Sequence, residues 1–158
     1  MKKELVQRLP KEIIEKILSY TYEFQDKQML EDIRNFLETR ETLFRLYSKY
    51  WVGTGYETEE ESRNWLINDL SGYANSYKGT GYGYVYKFYN IFMRNFMLNY
   101  IEKIEKYVKK VDNKNVRTQI NIYLGLFSPK ERNDVILVIN EKIAAEEEYD
   151  RRRNINRF

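Results

Sequence analysis

Apolar residues recur along this chain at helical intervals, and the breaks between them fall on capping and turn residues. Ile13, Ile14, Ile17 and Leu18 occupy positions i, i+1, i+4 and i+5, one face of a helix with roughly 3.6 residues per turn. Pro10 stands just ahead of them, suited to a first turn in which a missing N–H costs nothing. This helix is expected to end near residues 20–21. A second stripe, Met29, Leu30, Ile33, Phe36 and Leu37, predicts a helix from about 27 to 50 with Asp26 as its N-cap. Beyond the polar run Thr39-Arg40-Glu41-Thr42, residues Leu43, Phe44, Leu46, Tyr47, Tyr50 and Trp51 resume an apolar face, which leaves open whether this is one helix or two.

Gly53-Thr54-Gly55-Tyr56 reads as a loop, and Thr58-Glu59-Glu60-Glu61 has the spacing of a capping box. The helix it starts carries Trp65, Leu66 and Leu70 and is expected to stop at Gly72. Residues 72–83 interleave glycines with tyrosines and read as the least ordered part. From 84 to about 111 the apolar positions predict the longest helix, broad enough in its apolar face to be central: Val85, Phe88, Phe92, Phe96, Ile101, Ile104 and Val108 lie on it. A turn at 112–115 and a helix over 116–124 follow. Ser128-Pro129-Lys130-Glu131 supplies an N-cap, a proline at N1 and a glutamate at N3. The apolar run 135–139 suits a strand or a buried helix, and that cap favours the helix. Beyond 146 the chain is a charged tail in which Glu147/Arg151 and Glu148/Arg152 have i, i+4 spacing.

The expected fold is therefore all-α, a compact bundle of about six helices. Residues 1–51 form an N-terminal helical segment, and residues 52–158 form a helical domain packed on it as one folded unit, with 146–158 as the charged tail.

Composition narrows the chemistry. The chain has neither Cys nor His, which removes thiolate chemistry, the commonest metal ligand and the usual general base near neutrality. Its net charge of +3 is too small to argue nucleic-acid binding by itself. Fifteen Tyr and eight Phe supply large, adhesive contact area. Gly79-Thr80-Gly81-Tyr82-Gly83 lacks the spacing and preceding strand of a dinucleotide fingerprint. No cofactor or metal motif is present, and no enzymatic activity is expected. No apolar run approaches a membrane span, and Met1-Lys2-Lys3-Glu4-Leu5 leads into no signal-like stretch. We expect a soluble protein that is not secreted.

Residues Leu9-Pro10-x-Glu12-Ile13, Ile17-Leu18-Ser19-Tyr20-Thr21-Tyr22, Gln25, Leu30-Glu31-Asp32-Ile33 and Phe36 together resemble an F-box, in the form common among proteins of nucleocytoplasmic large DNA viruses. The resemblance covers residues 9–51. Cellular members carry a Val-Cys-x-x-Trp pattern where this chain has Ile33, Phe36 and Leu37. The resemblance implies a three-helix interaction module in which Leu9, Pro10, Ile13, Ile17 and Leu18 dock on the Skp-type adaptor of a cullin ubiquitin ligase. It implies a viral protein acting in the host cytoplasm or the virion. Read without the resemblance, the stripe is first an ordinary core face, since periodic apolar stripes usually are, and both roles can hold for different residues of it.

Tyr73, Tyr77, Tyr82 and Tyr84, with Arg151, Arg152 and Arg153 on the tail, are candidates for a secondary contact. They suit neighbouring proteins in a particle, where the chain would be a structural component such as a minor capsid protein. They also suit a virion-associated nucleic-acid binder, through base stacking beside Lys78 and Lys87.

Overall fold

The computed structural model describes residues 10–22, 26–52 and 58–155, except for the side chains of 18–22, 82, 150, 154 and 155. Every regular element among them is helical, and the expectation of an all-α protein holds. The chain divides into two compact units, residues 1–31 and 32–158. The boundary read from the sequence at 51 falls inside the second.

In the first unit, α1 spans Lys11–Tyr22. Pro10 opens it by lending its carbonyl to the N–H groups of Ile13 and Ile14, at 3.0 and 3.1 Å. Helix α2 runs Lys27–Tyr47 without a break at the polar run. Its N-cap is Asp26, whose Oδ1 accepts from the Gln28 N–H at 2.7 Å.

The second unit draws its α2 core residues from the apolar stretch beyond the polar run, together with Thr39, and not from the 29–37 stripe. Thr39, Leu43 and Tyr47 are buried, while Ile33 and Leu37 are exposed. Helix α2 passes into one π-helical turn, Ser48–Val52. Helix α3, Glu59–Ala74, starts at the capping box: the Thr58 N–H donates to Glu61 Oε2 at 2.7 Å, and the Glu61 N–H donates to Thr58 Oγ1 at 3.3 Å. It runs past Gly72 to a C-cap at Asn75.

Helix α3, and not the 84–111 segment, is central. It packs against α4 (Tyr86–Met93), α6 (Val116–Leu126), α7 (Pro129–Ile155) and the π turn. Ser62, Leu66, Ile67, Leu70, Tyr73 and Ala74 are all buried, and the small Ser62 and Ala74 permit close approach. The 84–111 segment is two helices, α4 and α5 (Ile101–Asp112). The break is chemical. Asn95 Oδ1 accepts from the Met97 N–H at 3.0 Å and the Asn95 carbonyl accepts from the Leu98 N–H at 2.8 Å. This local turn competes successfully with the helix.

Asn115 caps α6 through the Thr118 N–H at 2.9 Å. Ser128 caps α7 as expected, and residues 135–139 are helical. A run of rings threads the core: Tyr84 stacks on Phe88 at 3.9 Å, Phe88 on Phe92 at 4.6 Å, and Phe92 meets Tyr123 edge-on at 5.6 Å. These are the offset and T-shaped geometries that aromatic quadrupoles favour.

Candidate protein-binding face

The face read from the sequence as a docking surface lies on α1. Ile13 and Ile17, one turn apart, are 43% and 39% exposed. Pro10 is exposed beside them and Ile14 is half-buried. Lys11 and Glu15 make an exposed i, i+4 pair at 3.8 Å, which holds little energy in water. Leu9 lies outside the described residues. Leu18 belongs to α1, but its side chain is among those not described.

The tyrosine loop behaves differently from its sequence reading. Tyr73 is buried, so it is corrected from a contact residue to a core residue. Its ring meets Phe127 edge-on at 5.4 Å and carries the Lys87 ammonium 3.4 Å from its centre. Burial, reinforced by Asp134 and Glu131, pushes its phenol up to about 12. Burial lowers the Lys87 ammonium against the pull of Glu131 and Asp134.

Tyr84 is half-buried on Phe88. Tyr77 is exposed and adopts φ 56°, left-handed backbone that costs a non-glycine residue energy. Its N–H donates to the Gly72 carbonyl at 2.6 Å. A Cβ on Gly72 would stand 3.1 Å from the Tyr77 ring, so Gly72 seats that ring and does not end the helix. The Tyr82 side chain is not described.

Asn75 pins the loop from beneath. Buried at 1% exposure, it donates from Nδ2 to the Lys78 carbonyl at 2.8 Å and accepts at Oδ1 from the Val85 N–H at 2.8 Å. Residues 75–85 therefore close on one side chain.

Arg151, Arg152 and Arg153 are exposed on α7. Arg152 pairs with Glu148 at 2.8 Å, as the spacing predicts. The carboxylate partner of Arg151 is also Glu148, at 3.4 Å, and Arg151 reaches Glu147 through the backbone carbonyl.

A polar cleft lies between α2, the π turn, α3 and α7. Tyr47 donates to Asp69 Oδ2, Lys142 bridges both Asp69 oxygens at 2.8 and 3.1 Å, and Tyr50 donates to Glu146 at 2.9 Å. Burial, helped by the Asp69 carboxylate, holds the Tyr47 phenol far above its ordinary value, so it stays protonated. The cleft encloses about 10 Å³, room for roughly one water. Such a network holds helices in register.

A further exposed set escaped the periodicity. Met93, Phe96, Met97, Tyr100 and Ile101 are 39–84% exposed around the α4–α5 turn. The sequence pattern had put Phe96 and Ile101 on an inward helical face. The Asn95 turn rotates them outward, and Asn95 is the one signal in the sequence from which this was legible.

Among the described residues, no three carboxylates gather as a metal site, and no helix is long and apolar enough to cross a membrane. No family model, curated protein or solved structure matches this chain.

Proposed function

We propose that this chain is a non-catalytic protein-binding protein that grips a partner through the apolar face of α1. In keeping with the F-box-like sequence of residues 9–51, the partner is a Skp-type ubiquitin-ligase adaptor, with Pro10, Ile13 and Ile17 as anchors beside Leu9 and Leu18. The observation that carries this reading is the exposure of Ile13 and Ile17 on successive turns of one helix. Aliphatic anchors at i and i+4 are how a helix fills a partner's groove. About two fifths of each residue is left to cover, so docking gains roughly 1 kcal/mol from each, and affinity must come from several anchors acting together.

The test is capture of the full-length protein on an immobilised, purified Skp-type adaptor. The wild type is retained. Ile17→Asp, which places a charge in the apolar contact, weakens capture by more than about tenfold, with helicity by circular dichroism unchanged. Failure of the wild type to bind, or equal capture of both proteins, contradicts the reading.

A further inference from the structure

The α4–α5 turn brings together two features that the α1 face does not use. The first is a built apolar prominence. Leu98 is buried at 6% exposure and the Asn95 turn fixes the backbone, yet Phe96 and Met97 on the same turn are 84% and 62% exposed. Tyr100 and Ile101 continue the surface at 47% and 46%. The anchoring of the turn means that this exposure belongs to the fold.

The second feature is charge. Residues 100–117 hold six Lys and Arg against three Asp and Glu. Their net of +3 equals that of the entire chain, so the remaining residues together are neutral. On α5, Lys103, Lys106 and Lys110 are exposed and fall within about 60° of one another around the helix axis. Lys103 is held at the apolar end: its ammonium lies 4.5 Å from the Tyr100 ring and donates to Asn99 Oδ1 at 3.1 Å.

We infer that the α4–α5 turn and the lysine face of α5 form a peripheral docking surface for an anionic lipid bilayer, with Phe96 and Met97 entering the interface and the lysines meeting the headgroups. Apolar tips reaching a few ångströms below the headgroups, flanked by cations, are the two signals that stable surface association requires. The composition of the tip favours lipid over nucleic acid. Three of its five exposed residues, Met93, Met97 and Ile101, have no ring to stack on bases, whereas hydrocarbon accepts all five without directional contacts. The near-complete exposure of Phe96 also favours a deformable hydrocarbon phase over a folded partner, which would have to offer a matching pocket.

Flotation of the full-length protein with vesicles tests the inference. It is expected to float with phosphatidylcholine–phosphatidylserine vesicles, to stay behind with phosphatidylcholine alone, and to detach as salt rises. Phe96→Ser with Met97→Ser weakens binding by more than about tenfold. Reversing Lys103, Lys106 and Lys110 to Glu removes it, since each lysine near an anionic surface is worth about fivefold. All five residues are exposed, so circular dichroism of both variants matches the wild type. Ile13→Asp with Ile17→Asp retains vesicle binding, which separates this surface from the α1 face. The inference is overturned if the wild type ignores anionic vesicles, if the Phe96/Met97 variant binds them as well as wild type does, or if the α1 variant loses them. It is equally overturned if the wild type binds a single-stranded oligonucleotide or an acidic peptide in their place.

Discussion

Two buried polar side chains hold positions that apolar residues could fill only at a cost. Arg132, at 2% exposure, donates from Nε to the Leu124 carbonyl at 2.7 Å. Its Nη1 reaches Asp32 Oδ1 at 2.7 Å, the Asp32 carbonyl at 3.2 Å and Asn35 Oδ1 at 3.1 Å, and its guanidinium lies over Phe36. Arg132→Met keeps the stem but orphans the acceptors, and we expect it to cost about 2–3 kcal/mol in urea unfolding. Asn75 closes the 75–85 loop with one donor and one acceptor, so Asn75→Ala should cost about 2–3 kcal/mol by the same measurement. A loss below roughly 0.5 kcal/mol in either protein contradicts the role given to that residue. Neither role was legible beforehand. Asp32 lies 100 residues from Arg132, and helical periodicity marks a position as inward or outward without naming a distant partner.

At the scale of elements, local chemistry was legible wherever the cap is local. Asp26, Thr58 with Glu61, and Ser128 with Glu131 all cap where their spacing places them. The longest expected helix failed because apolar residues continue at near-helical spacing through 94–100, while a single asparagine turns the backbone. Helix α3 was underrated because it is buried on several sides, so its pattern has no clean polar face.

The α7 cap also carries a pH signature. Burial acts to raise the Glu131 carboxyl, but the Arg94 guanidinium and the Ser128 N–H and hydroxyl outweigh it and hold it down at about 2, against an ordinary 4.5. The unfolded chain therefore binds this proton more readily. The stabilisation is complete above 4.5 and drains away as pH falls toward 2. Glu131→Gln removes this titration. The stability gap between wild type and variant, followed by thermal unfolding, should narrow steadily across that interval. A gap that stays constant there contradicts the assignment.

On the scale of the molecule, the aromatic core belongs to the second unit and the candidate gripping face to the first. The stripe was legible in the sequence as a helical period, but periodicity is silent on whether a stripe faces a core or a partner. The exposure of Ile13 and Ile17 supports the partner. The α4–α5 prominence, which came from a turn and not from periodicity, adds a second surface of different chemistry. The most direct measurement is amide hydrogen exchange of the full-length protein with and without purified Skp-type adaptor. The account predicts slowed exchange across α1, Lys11–Tyr22, on addition of adaptor, with residues 93–101 unchanged. Exchange in α1 that is identical in the two samples, or protection confined to the second unit, would contradict it.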